Sequence, residues 1–208
     1  SITARGSELL KKVQCEMGGK NAAIILNDAD LDKAVPGVVQ GAFGSTGQRC
    51  TATSRAIVED GIYNEFMDAL LAQTEALTVG DGMDSSKDVA PLASRNQLDT
   101  VLEYIGIGTE EGARLTFGGH QLRGDEFDEG YYVEPTIFTD VATSMRIARE
   151  EIFGPVLSVF RASDLQDAVR ISNDVDFGLS SSVYTRDLVQ AHEYINTAET
   201  GMVHVNAP

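Results

Sequence analysis

The sequence predicts an α/β fold, a mainly parallel sheet with helices on both faces. Short apolar runs alternate along the chain with segments whose apolar residues recur at helical spacing, the pattern left by strands joined through crossover helices. One run, Ala22-Ala23-Ile24-Ile25-Leu26, is apolar without alternation, as a strand buried on both faces requires. The chain has 208 residues, 42% of them hydrophobic and 23% charged, an ordinary globular composition with enough length for one sizeable core. One domain over residues 1–208 is therefore expected.

Lys12 to Glu16 and Asn21 to Leu26 read as the first strands. Asp28 or Asp30 can cap the helix that follows by accepting a backbone N–H bond. Leu31, Ala34, Val35, Val38, Val39 and Ala42 give that helix an inward stripe, and Pro36 is a candidate kink. Ser54 to Glu59 is the next strand, followed by a helix from Ile62 to Leu77 with Phe66, Leu70 and Leu71 turned inward. Gly80-Asp81-Gly82 marks a loop, and Ser94 to Gly112 a long helix with Leu98, Val101, Leu102 and Ile105 on one side. Ala113 to Phe117 returns as a strand, while Gly118 to Gly130 is polar and turn-like. Strands near Tyr132 to Phe138 and at Val156 to Phe160 come next, then a helix from Leu165 to Asn173. A strand around Ser182 to Tyr184, a helix from Leu188 to Thr197 and a last strand from Gly201 to Asn206 complete the pattern.

Sixteen basic residues against 32 acidic ones give a net charge of −16, which opposes attraction to nucleic acid or to an anionic membrane. Neither is expected as a partner. No run approaches the length of a membrane span, and Ser1-Ile2-Thr3-Ala4-Arg5-Gly6 lacks the apolar core of a signal peptide. Cys15 and Cys50 are too few for a disulfide framework, and a reducing, cytoplasmic setting is expected. There is no G-x-G-x-x-G and no P-loop; Gly106-Ile107-Gly108 falls at a helix end. His192-Glu193 opens like a zinc-protease motif, but position 196 is Asn and the chain holds three histidines, so no metal site is expected.

The informative segment is Gly44-Ser45-Thr46-Gly47-Gln48-Arg49-Cys50-Thr51-Ala52. Its glycines permit a sharp backbone path, and the end of the sheet would present the thiol at a crevice, where such folds bind ligands. A free cysteine is more often a small buried hydrophobe than a nucleophile, so Cys50 needs companions. A thiolate that oxidises its substrate through a covalent adduct also needs a base to activate water. Glu16, in Cys15-Glu16-Met17-Gly18-Gly19-Lys20, can supply it, although alone it reads as a turn glutamate.

Taken together, Glu16-Met17-Gly18-Gly19-Lys20, Gly47-Gln48-Arg49-Cys50 and Glu150-Glu151-Ile152-Phe153-Gly154-Pro155-Val156 resemble, in order and spacing, the signatures of the aldehyde dehydrogenase superfamily. The resemblance runs from Leu9 to Pro208 and implies a catalytic domain of that family. It implies that Cys50 attacks an aldehyde to give a thiohemiacetal, that hydride passes to NAD or NADP, and that Glu16 activates water against the remaining thioester. Glu151 would hold the nicotinamide ribose hydroxyls, in preference to its neighbour Glu150, and Phe153 would pack at the same end of the cofactor. Met17 and Gly18 would line that end, and Gln97 falls where some members touch cofactor. Covalent catalysis divides one hard oxidation into two steps, and the Cys50 amide can stabilise the oxyanion.

Members of the family are longer, so the resemblance implies an N-terminal cofactor-binding domain and a C-terminal tail outside this chain, and a homo-oligomer. The runs Gly44 to Arg55 and Gly201 to Pro208 look like those of 2-oxoglutarate semialdehyde (2,5-dioxovalerate) dehydrogenases. Arg49 and Thr51 would then contact substrate, Arg49 pairing with its distal carboxylate, because a guanidinium fork suits that group. Arg49 in a structural ion pair is the competing reading. Two other readings of the chain stand beside oxidation: a thiol esterase that needs no cofactor, and an inactive, self-associating domain.

Overall fold

A computed structural model describes residues 1–208. The elements run α1 (Ile2–Glu8), β1 (Asn21–Ile25), α2 (Leu31–Phe43), β2 (Thr53–Glu59), α3 (Tyr63–Glu75), α4 (Arg95–Glu110), β3 (Arg114–Phe117), β4 (Thr136–Thr139), α5 (Arg146–Arg149), β5 (Val156–Ala162), α6 (Leu165–Asn173), β6 (Ser180–Tyr184), α7 (Leu188–Thr197) and β7 (Met202–Val205), with short 3-10 turns at Gly44–Gly47 and Asp125–Phe127. Seven strands form one sheet in the order β3-β4-β5-β2-β1-β6-β7. Every neighbouring pair is parallel except β3 with β4.

The continuous apolar run becomes β1, buried at all five positions between β2 and β6. On one face its Ala23 and Ile25 meet the inward stripe of α2 and Phe66 and Leu70 of α3. On the other, Ala22 and Ile24 meet Leu165, Ala168 and Ile171 of α6 and Tyr194 of α7. A third cluster packs Leu98, Val101 and Ile105 of α4 against Phe138, Ile147 and Val156. Asp30, and not Asp28, caps α2 by accepting from the Asp32 amide, and the helix runs on through Pro36. The Asp28 carboxylate instead accepts from the Thr185 hydroxyl and the Arg186 amide.

Two strand expectations need correction. Lys12 to Glu16 is irregular, because no strand lies beside it to pair with and most of its side chains face solvent. The strand expected over Tyr132 to Phe138 begins only at Thr136, since Pro135 offers no N–H; Val133 makes one isolated bridge to Gln121. Helices α1 and α5 were not expected.

Glu16 to Lys20 precedes β1, Cys50 precedes β2 and Glu150 to Gly154 precedes β5. These strands are adjacent and parallel, so all three segments meet at the amino ends of the sheet. Open α/β sheets usually bind ligands at the carboxyl ends. A cavity of about 380 Å³ does lie there, lined by Asp30, Lys33, Arg186 and Leu188 among others, but neither cysteine lines it.

Candidate active site

Three consecutive left-handed residues, Ser45 (φ 52°), Thr46 (φ 59°) and Gly47 (φ 65°), turn the chain from α2 toward Cys50. Such backbone costs energy in non-glycine residues and persists only where its surroundings hold it. Here the Thr46 hydroxyl donates to the Ala90 carbonyl at 2.9 Å, and the Gln48 side chain accepts from the Ala93 amide at 2.9 Å. Gly47 is required twice over: beside its positive φ, a Cβ there would stand 2.2 Å from the Gly154 carbonyl oxygen. The thiol loop and the loop before β5 therefore touch backbone to backbone.

Asn21, the first residue of β1, ties the thiol loop to the sheet. Its side-chain nitrogen donates to the carbonyls of Cys50 (2.8 Å) and Ala52 (2.9 Å), and its oxygen accepts from the Ser180 amide (3.0 Å). Cys50 is half-buried, whereas Cys15 is exposed; both are free thiols.

Glu151 leans across the double-glycine turn. The Gly19 amide donates to its Oε1 at 3.0 Å, and a Cβ at Gly18 would fall 2.3 Å from its Oε2. Glu150 points elsewhere, accepting from Arg146 at 2.8 Å and from the Tyr104 hydroxyl at 2.6 Å. The Arg146 hydrogen bonds, then that of Tyr104, hold the Glu150 carboxyl below the usual carboxylate range. Phe153 adopts a positive φ of 57° and is 39% exposed, which leaves its ring open for contact. Gln97 sits behind this loop, its amide donating to the carbonyls of Ile152 (2.8 Å) and Phe153 (3.0 Å).

Glu16, Met17, Gly18, Gln48, Arg49, Cys50, Glu151 and Phe153 line one cleft of about 410 Å³. Glu16 is exposed there, and Met17 is 59% exposed. Thr51 lies outside it, in a neighbouring cavity of about 270 Å³ lined also by Gln40, Ser180, His204 and Arg49, which borders both. The Arg49 guanidinium makes one long hydrogen bond, 3.4 Å to the Gln40 carbonyl, and no ion pair with any acid of this acid-rich chain. A structural ion pair at Arg49 is thus not what the structure contains. No group of three or more His, Cys, Asp or Glu is arranged to hold a metal ion. No helix is long and apolar enough to cross a membrane.

Asn21, Lys20 and Gln48 were not singled out from sequence. Lys20 is 1% exposed with no hydrogen-bond partner for its Nζ, and burial, aided by nearby Arg55, pushes its pKa down to about 7. Arg55, also buried, donates to the carbonyls of Lys20, Ile171 and Ser172 at 2.8 Å each. The signal available was the type itself: a lysine or arginine among strand residues is out of place unless something pairs with it.

Residues 1–208 match the model of the aldehyde dehydrogenase family. An alpha-ketoglutaric semialdehyde dehydrogenase of Bacillus subtilis (strain 168) is 47% identical over 204 residues, covering 98% of this chain and 41% of that protein. A betaine aldehyde dehydrogenase of Brucella anthropi is 42% identical over 206 residues, 99% of this chain and 42% of that protein. The crystal structure of a betaine aldehyde dehydrogenase from Staphylococcus aureus in complex with NAD+ superposes with a TM-score of 0.93 at 32% identity, covering 100% of this chain and 41% of that one. The chain spans about two fifths of the length of the curated relatives it matches.

Proposed function

The chain belongs to the aldehyde dehydrogenase family, and on that premise we propose that it forms the thiol-bearing catalytic domain of an enzyme converting an aldehyde and water to a carboxylate with NAD or NADP. The observation that carries this reading is the convergence of Cys50, Glu16, Glu151 and Phe153 on one cleft at the amino ends of three adjacent strands.

In this reading the Cys50 sulfur adds to the aldehyde carbon and the Cys50 amide donates to the developing oxyanion. Asn21, by fixing the Cys50 and Ala52 carbonyls, keeps that turn from shifting as charge develops. Glu16, exposed at the rim where water has access, takes a proton from the water that attacks the thioester and releases the acid and the thiol. The residues present fit the nicotinamide end of a dinucleotide. Glu151 offers a carboxylate oxygen beyond the one bonded to Gly19, Gly18 leaves no side chain between, and Met17 and Phe153 offer apolar surface to a flat ring. Bound there, the nicotinamide would supply the hydride acceptor that oxidation at Cys50 requires. Gln97 acts in this account by holding the Phe153 loop. The dehydrogenases among the relatives lend no support to a thiol esterase without cofactor.

The substrate proposed is a small semialdehyde bearing a carboxylate, the class named for the Bacillus relative. Arg49, free of any acid and bordering both cavities, would hold the carboxylate with Thr51 beside it. A homo-oligomer is supported by the outer strand β7 and by Leu188 and Val189, 72% and 74% exposed on α7. A cytoplasmic setting rests on the two free thiols.

The test is NADH formation by the full-length enzyme. Turnover should fall by orders of magnitude in Cys50→Ser. Arg49→Ala should lose the preference for acidic over neutral aldehydes by about tenfold or more, the worth of a charge-assisted hydrogen bond. Unchanged selectivity would remove Arg49 from the account, and an active Cys50→Ser enzyme would end it.

A further inference from the structure

We infer that Lys20, the residue after Gly19, is a positioning residue whose buried ammonium holds the Glu151 carboxylate against the Gly19 amide and so presents it to the cofactor. The functional half of this inference rests on the reading of Glu151 given above; the electrostatic half does not.

Lys20 follows directly on the glycine whose amide bonds Glu151. Its backbone is pinned by the Arg55 guanidinium at its carbonyl, which fixes where the side chain departs. That side chain is 1% exposed and its Nζ meets no acceptor, an arrangement that costs stability and is seldom kept without a use. The charged groups acting on the ammonium are Arg55 on β2 and, before β5, Glu151 and then Glu150. Arg55 answers in turn to Tyr194 on α7 and to Asp174 and Arg149. Of the ionised groups among these, all but Glu151 are otherwise engaged: Arg55 with three carbonyls, Glu150 with Arg146 and Tyr104, and Arg149 with Asp174. Neither Glu151 nor Lys20 has an ion-pair partner. Glu151 has one hydrogen bond, from Gly19, and cannot settle deeper because its carboxylate already occupies the space a Cβ at Gly18 would need. The buried Lys20 ammonium supplies the longer-range attraction that keeps it there. Because the Lys20 pKa sits at about 7, the hold weakens as pH rises through neutrality.

The Gly19 amide reports on this hold within the chain alone. Its ¹H–¹⁵N shift would be followed by NMR from about pH 6 to about pH 9, above the range where a glutamate titrates. In Cys50→Ser protein, which removes the thiol of the cleft, the amide proton should move upfield with a midpoint near the Lys20 pKa of about 7. Lys20→Met should give a flat profile at the high-pH position and Lys20→Arg a flat profile at the low-pH position, since a guanidinium stays charged. Lys20→Met removes a buried charge that nothing bonds, so the fold is expected to survive it. A Gly19 amide that does not titrate, or a Lys20→Met protein that matches wild type at low pH, would overturn the inference. In the full-length enzyme Lys20→Met should raise the KM for NAD about tenfold, with kcat and the alkylation rate of Cys50 little changed. A titrating Gly19 amide with an unmoved KM would mean that Lys20 holds Glu151 but that Glu151 does not hold cofactor.

Discussion

Asn21→Ala removes one side chain and three hydrogen bonds, those to the Cys50 and Ala52 carbonyls and from the Ser180 amide. Each is worth about 1 kcal/mol net, and all three groups lie where water does not readily replace the partner, so the loss should reach about 3 kcal/mol. With a urea slope of about 2–3 kcal/mol per molar, the unfolding midpoint should fall by roughly 1 M. Asn21→Asp separates bonding from cavity effects: it keeps the shape and the acceptor facing Ser180 but loses both donors, so it should cost at least as much. The local consequence is measured on the thiols. With the carbonyls of Cys50 and Ala52 released, alkylation of Cys50 should change several-fold while that of exposed Cys15 stays constant as an internal reference. A midpoint within about 0.2 M of wild type, with both alkylation rates unchanged, would refute the idea that Asn21 anchors the nucleophile loop.

Gly18→Ala should leave stability nearly intact, because the atoms in the way of the new Cβ are the end of the Glu151 side chain, but the displaced carboxylate should weaken NAD binding by the full-length enzyme about tenfold or more. Calorimetric titration with NAD measures it, and tight binding would contradict the placing of Glu151 at the cofactor. Lys20 gives a pH prediction with a definite sign. Its folded pKa lies near 7, well below the ordinary lysine value of 10.5, so between those limits the unfolded chain binds the extra proton and stability rises with pH. Relative to Lys20→Met, wild type should therefore gain a few kcal/mol between about pH 7 and pH 10, and urea midpoints that run parallel across that range would rule the burial of a strained charge out.

Much of the sheet was legible because apolar periodicity is a local signal. The inward stripe of α2 and the unbroken β1 read directly, and α2 passes through Pro36 because tertiary burial of Val35, Val38 and Val39 outweighs one lost N–H. Failures came where the deciding partner was distant or absent. Lys12 to Glu16 has the composition of a strand but no neighbour, and the ladder beyond Tyr132 is broken by Pro135 at the point where a donor is needed. Four residues in α5 are too few to show a period. At the site, the thiol, Glu16, Glu151, Phe153 and Arg49 were legible as motif residues, and the structure gathers all of them around one cleft. Gln97 props the Phe153 loop through its side-chain amide, and Thr51 opens on the adjacent cavity. Asn21 reads as an ordinary strand residue until the loop that it bonds is known, and the meeting of the three motif segments follows from strand order, which no local pattern encodes.

The central claim is that Cys50 carries the acyl group and Glu16 releases it. Full-length Glu16→Gln enzyme, mixed with NAD and a carboxylate-bearing semialdehyde and then digested, should yield the peptide containing Cys50 increased in mass by the acyl group, with the Cys15 peptide unmodified. A Cys50 peptide that stays unmodified while NADH is formed would contradict it.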